Sequence, residues 1–258
     1  DTIRERLEVK SYLQAGLEIC FVDGATKQQE TFVHPNGIAD YLPILIARRG
    51  HAVTHPTLFY TQRELPAGGD TLPFRMEIAL QWTEDTAEFV KSYVNGIPTG
   101  SGGTHENGLS SAVVKAVRAF MEAKGIAPRG LTLTAEDIRE GLVALISVYV
   151  AEPQFQGQTK DRLNNTEIAG QVESIVRPAL EQWLLENGSM ADQIVARAIL
   201  AARAREARRE ATQAVSRKTA VSHRLNLPGK LADCSSTDPN ESELFLVEGD
   251  SEAAGGRK

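Results

Sequence analysis

Gln158 and Lys160 stand two residues apart in "AEPQFQGQTKDRL", residues 151–163, directly after the most apolar run of the chain, Leu142 to Val150. A lysine ammonium is a point charge with three donors, a glutamine amide is a neutral donor and acceptor, and alternate residues of an extended segment share a side. Such a pair suits a terminal phosphate, because the ammonium offsets charge while the amide fixes one oxygen without adding more. A polar loop that only faces solvent uses the same residue types, and spacing does not separate the two.

Three other stretches carry possible chemistry. "SGGTHENG", residues 101–108, is a Gly-rich loop leading into a helix, a general anion-binding arrangement, but no GK[ST] follows and no GxGxxG occurs. A structural turn around a hydrogen-bonded His105 is the favoured reading. The segment "ARAILAARAREARREATQAVSRK" is basic: from Met190 to Lys230 there are nine Lys or Arg and three acids, a local +6 against −6 for the whole chain. It suits phosphate contact or a solvated strut whose Ala198, Ala202 and Ala211 pack closely on another helix. Last, "ELFLVEGDSEAAGG" delivers Glu248 and Asp250 at the end of an apolar strand, where hard oxygen ligands could hold Mg²⁺. One strand supplies too few ligands, and an acidic turn is the plainer reading.

The elements that must position these residues follow from periodicity. Thr2 starts a helix to about Gln14. Leu17 to Val22, the Asp23-Gly24 turn and "QETFVH" form a hairpin. Ile38, Tyr41, Leu42 and Leu45 have helical spacing around Pro43. Met76, Ile78, Leu80 and Trp82 alternate with Glu77, Ala79 and Gln81, and "AEFVKSYV" ends at the Asn95-Gly96 turn. A helix carries Leu109, Val113, Ala116, Val117 and Phe120 to Gly125, and Thr134 caps another ahead of the Leu142–Val150 strand. Ile168, Val172, Ile175 and Trp183 mark a helix that Pro178 should kink. Ser189 then caps a long helix to about Ala220. The alternation implies an α/β or α+β domain to about residue 165, with helices beyond.

Composition excludes several classes. At 258 residues, 41% hydrophobic and 24% charged, the chain can bury a sizeable core. Its longest apolar run is too short to span a bilayer, and "DTIRERLEVK" lacks a signal-peptide core. A cytoplasmic protein is expected, with no membrane association. Cys20 and Cys234 form no CxxC pair and read as free thiols. The chain begins at Asp1, its first Met is Met76, and it ends in a Gly-containing segment, so a piece of a longer protein is expected.

"GGTHENG", "DIREGL", "PQFQGQTKDRL", "AARAREARR", "LPGKLADC" and "ELFLVEGDS" occur in an order and spacing that resembles the B subunits of bacterial DNA gyrase and topoisomerase IV. The likeness spans essentially the whole chain and departs after "EGDS", where the family usually continues "AGGSAK" and this chain reads "EAAGGRK". It implies an α+β fold: a transducer core over 1–165 similar to a ribosomal small-subunit protein domain, with a left-handed βαβ crossover, exit helices over 166–229, and the first strand of an α/β Toprim domain over 230–258.

The resemblance also implies roles. Gln158 and Lys160 contact the ATP γ-phosphate. Glu248 serves as a Mg²⁺ ligand and acid/base group in DNA cleavage. Arg203, Arg208, Arg209 and Lys230 face double-stranded DNA. The nucleophilic tyrosine belongs to a partner A subunit in an A2B2 assembly, so Tyr12, Tyr41, Tyr60, Tyr93 and Tyr149 are not candidates, and ATP binding dimerises the B subunits. The function implied is an ATP-dependent type IIA topoisomerase, gyrase or topoisomerase IV, with this piece inactive alone. A non-catalytic regulatory protein that mimics the transducer is the alternative.

Overall fold

The computed structural model describes residues 2–66, 73–128 and 130–221, with side chains as far as residue 213. The N-terminal helix α1 (Thr2–Leu13) is followed by the antiparallel pair β1 (Ile19–Val22) and β2 (Gln29–Phe32). Their register, Val22 opposite Gln29, leaves a six-residue loop rather than a two-residue Asp-Gly turn. Asp23 closes that loop, its Oδ1 accepting the Ala25 N–H at 2.9 Å while Lys27 takes the positive φ. Helix α2 (Ile38–Arg49) then buries Ile38, Tyr41, Leu42 and Leu45, as its spacing predicts.

A five-stranded sheet forms the centre, in the order β3 (Phe59–Leu65), β4 (Phe74–Trp82), β7 (Leu142–Val150), β5 (Phe89–Val94), β6 (Ile97–Pro98). All neighbours are antiparallel except β5 and β7. Between that parallel pair lie α3 (Thr104–Ala123) and the short α4 (Ala135–Arg139), because a parallel return needs a long crossover. Asn95 at φ 51° and Gly96 at φ 71° make the tight β5–β6 turn that the Asn-Gly dipeptide predicts.

Strand β7 is apolar apart from Ser147 and the Tyr149 hydroxyl because both its faces are covered. Leu142, Ala144, Ile146 and Val148 pack in one core with α3 and α5 (Thr166–Glu186); Val143 and Leu145 pack in a second core with α1 and α2. Strand β4 obeys the same division. Its alternation separates two cores rather than core from water, so Glu77 and Gln81 are buried. Glu77 pairs there with Arg75, and Gln81 donates to the His55 carbonyl at 2.6 Å.

Helix α5 runs on through Pro178, and α6 (Gly188–Val221) follows. Ser189 does not cap it. The Asn187 carbonyl accepts from Met190 and Ala191, so the helix starts two residues earlier than its hydroxyl suggests. Two compact units divide the chain at residues 204 and 205. Within the first, Ala191, Ile194, Val195 and Ala198 of α6 join the α3–α5 core. Ala198 and Ala202 are buried as the small-residue stripe predicts, whereas Ala211 is exposed.

Candidate functional site

The segment after β7 is a short hairpin. Gln156 N–H donates to the Arg162 carbonyl at 2.9 Å and Asn164 N–H to the Gln154 carbonyl at 2.8 Å, with Phe155 opposite Leu163. Asn165 closes its base: the side chain accepts from Gln154 N–H at 2.7 Å and donates to the Glu152 carbonyl at 3.2 Å and the Glu167 carboxylate at 2.8 Å. That leaves α5 without a side-chain cap from Asn165. The tip, Gly157 to Lys160, is exposed.

At that tip the expected extended geometry gives way to a turn. Gly157 sits at φ 78° and Lys160 at φ 55°, so the two side chains are presented by a bend rather than by alternation along a strand. Thr159 Oγ1 donates to Asp161 Oδ1 at 3.0 Å, a bond that spans Lys160 and holds the bend. Neither Gln158 nor Lys160 has a side-chain partner among the described residues. An unpaired amide and an unpaired ammonium on a fixed tip can meet an anion without first breaking a bond.

The loop "SGGTHENG" lies against this hairpin. Ser101 N–H donates to the Asp161 carbonyl at 2.9 Å, Leu163 N–H to the Gly102 carbonyl at 3.1 Å, and Thr104 N–H to the Leu163 carbonyl at 3.1 Å. These bonds run a parallel ladder beside Leu163, whose side chain is fully buried. A Cβ on Gly103 would stand 2.5 Å from the Leu163 carbonyl oxygen and 2.6 Å from its nitrogen. Gly103 also has φ 143° and ψ −163°, a region that only glycine occupies freely. Glycine is thus required for the two loops to touch. Farther along α3, Gly108 permits the same closeness to α5, where a Cβ would lie 2.5 Å from the Ala169 carbonyl oxygen.

His105 is buried in the first turn of α3, with Nε2 3.1 Å from Thr99 Oγ1. Nδ1 has no hydrogen-bond partner among the described residues, so the ring is hydrogen-bonded, as expected, but at one nitrogen only. Burial pushes its pKa down to about 4, so the imidazole is neutral. It holds α3 rather than binding an anion. The neighbouring Glu106 carboxyl is held above its ordinary value by burial.

The remaining expected residues are dispersed or out of view. Arg203, Arg208 and Arg209 are exposed. Lys230, Glu248, Asp250 and Cys234 lie outside the described residues, as does the expected Toprim strand. Cys20 is a free, exposed thiol. Among the described residues, no cluster of three His, Cys, Asp or Glu side chains could hold a metal, and no helix is long and apolar enough to cross a membrane. Sequence reading missed Asp161, Ser101 and Leu163, which join the two loops. The doubled glycine ahead of Thr104 was the available signal.

A family profile described as DNA gyrase B matches residues 37–214, a span that includes both loops and all five strands of the central sheet. The chain belongs to the DNA gyrase B family. It is 39% identical to the DNA gyrase B protein of Streptococcus pyogenes serotype M1 over 257 residues, 98% of this chain and 38% of that one. With the gyrase B protein of Haloferax lucentense it shares 38% identity, over 99% of this chain and 38% of the relative. It therefore spans about two-fifths of the length of those gyrase B proteins. Among solved structures, the 43K ATPase domain of Thermus thermophilus gyrase B in complex with an aminocoumarin matches with a TM-score of 0.71 at 32% identity, over 82% of this chain and 55% of that one. The topoisomerase IV ATP binding domain of Francisella tularensis matches with a TM-score of 0.64 at 28% identity, over 79% and 53%. The mixed α+β fold of this chain is thus that of part of the gyrase B ATPase region.

Proposed function

We propose that this chain is the part of a gyrase-type B subunit that reports the state of bound ATP to a DNA-cleaving core. The observation that carries the proposal is the hydrogen-bonded hairpin tip on which Gln158 and Lys160 have no side-chain partner among the described residues. Lys160 offers charge to the terminal phosphate and Gln158 an amide donor to one of its oxygens. The ATP is bound by a domain outside this chain, which supplies the hydrolysis. When the terminal phosphate leaves, the tip loses the contacts that favoured one orientation, and the body that carries it is released to rotate. In this reading, residues 1–165 are a transducer core with a left-handed crossover through α3, and residues 166–229 are exit helices. Arg203, Arg208, Arg209 and Lys230 line the passage of double-stranded DNA. Glu248 opens the Toprim site, holding Mg²⁺ for cleavage with a tyrosine of an A-type subunit in an A2B2 assembly.

The test uses the full-length protein with its A-type partner, comparing wild type with Lys160→Ala on relaxed and supercoiled plasmid. Loss of one preorganised charge should cut ATP turnover about 10²-fold, and supercoiling with it. Introduced negative supercoils identify gyrase, and relaxation alone identifies topoisomerase IV. Undiminished turnover in the variant removes Lys160 from the phosphate.

A further inference from the structure

We propose that Asp161, acting with Ser101, is a positioning clamp that sets the Gln158–Lys160 tip in its phosphate-ready shape and fastens it to the start of α3. The proposal rests on the reading of Gln158 and Lys160 as phosphate contacts and adds a residue that touches no phosphate. The Asp161 carboxylate divides its oxygens between the two loops: Oδ1 accepts from Thr159 Oγ1 at 3.0 Å, and Oδ2 accepts from Ser101 Oγ at 3.3 Å. Its main-chain carbonyl takes the Ser101 N–H at 2.9 Å, and Arg162 Nη1 donates back to the Ser101 carbonyl at 3.4 Å.

Two features make this a device for geometry. Thr159 and Asp161 flank Lys160, whose left-handed backbone a lysine adopts only when its neighbours hold it. A carboxylate beside a phosphate would also repel it. Both Asp161 oxygens instead accept from protein hydroxyls, so the residue acts on Lys160 through the bend it spans. Ser101 stands 60 positions away in sequence, ahead of a helix packed against α5 through Gly108. A displacement of the tip is therefore delivered to α3 as well as along the chain into α5.

The experiment measures steady-state ATP turnover by the full-length protein with its A-type partner, for Asp161→Ala, Asp161→Asn, Ser101→Ala, Lys160→Ala and the Asp161→Ala/Lys160→Ala double variant. Losing two hydrogen bonds should lower kcat/KM for ATP about tenfold in Asp161→Ala, and losing one about threefold in Ser101→Ala. Asp161→Asn should recover most of the loss, since its amide oxygen accepts from Thr159 and its nitrogen donates to Ser101 Oγ. The double variant should be no worse than Lys160→Ala, because a clamp has nothing to position once the ammonium is gone. Wild-type activity in Asp161→Ala, equal impairment in Asp161→Asn, or multiplied losses in the double variant would each overturn the clamp. Should Asp161→Ala fail to fold, an unaffected Ser101→Ala overturns it too. An inert Lys160→Ala sinks the phosphate reading itself, whereas an impaired Lys160→Ala beside an intact Asp161→Ala sinks only the clamp.

Discussion

Gly103 and Gly141 perform the same service at two junctions, and their surroundings differ. Each has a positive φ, and each lacks a Cβ where another backbone comes close. Beside Gly103 that backbone is Leu163, part of a hairpin with an exposed tip. Beside Gly141 a Cβ would stand 2.3 Å from the Thr83 carbonyl oxygen, 2.8 Å from that of Asp85 and 2.7 Å from Arg197 Nε. Thr83 and Asp85 are buried, and Arg197 donates to the Asp85 carbonyl and lies 3.6 Å from Glu140. Arg49 holds the Asp85 carboxylate at 2.5 Å, keeping its pKa below the usual range. The first junction fastens the hairpin that, in the function proposed above, responds to the terminal phosphate, and the second fastens α6 to the β4–β5 connection through Arg197.

The largest expected effect is at the second junction. Gly141→Ala combines a left-handed backbone with a clash that buried carbonyls cannot relieve, and should cost about 4 kcal/mol. Gly103→Ala should cost roughly half as much, because the hairpin can shift away at the expense of a few ladder bonds. Urea unfolding of the 258-residue chain compares them. In the full-length protein the order should reverse for ATP turnover, since the shifted hairpin carries Lys160. Equal stability losses would mean that the 155–163 hairpin is as rigid as the sheet.

Acid should weaken the α3 junction. His105 is held neutral by burial, with a pKa of about 4 against about 6.5 in the unfolded chain. A depressed pKa contributes nothing above pH 6.5. As pH falls from there to about 4, the unfolded state gains protons that the folded state refuses, and stability drops by about 3 kcal/mol in all. Burial depresses His55 as well, so both histidines act in the same direction. His55 is held between the Thr57 carbonyl and the Trp82 N–H. The difference in unfolding free energy between wild type and His105→Gln, followed from pH 7 to 4.5, isolates the His105 share. Parallel curves would show that His105 takes up its proton in the folded protein.

What the sequence revealed and what it concealed divide along the same lines. Strand β7 runs over the predicted residues, and Thr134 caps α4 with a full capping box to Asp137, because short-range periodicity and local side-chain bonds decide both. In β4 the alternation was legible but its meaning was not: a period of two reports that two faces differ, not that one of them is wet. Lys160 was legible as chemistry, yet its turn depends on Thr159 and Asp161 closing across it. The meeting of Gly103 with Leu163, and of Gly141 with Thr83, joins residues about sixty positions apart, and no local pattern encodes such an approach.

The smallest expected effect tests whether Arg197 belongs to the Gly141 junction or only borders it. Arg197→Ala removes a charge-assisted bond to a buried carbonyl and should cost about 2 kcal/mol. It also removes the Nε atom that a Cβ at position 141 would strike at 2.7 Å. The double variant Gly141→Ala/Arg197→Ala should therefore lose about 1 kcal/mol less than the two single losses added together. Arg197→Lys, with one head group and no Nε, should show part of that relief while keeping a donor for Asp85. Strict additivity would assign the clash to the Thr83 and Asp85 carbonyls alone. The need for glycine would then come from the β4–β5 connection, and Arg197 would hold Asp85 without forming part of the Gly141 junction.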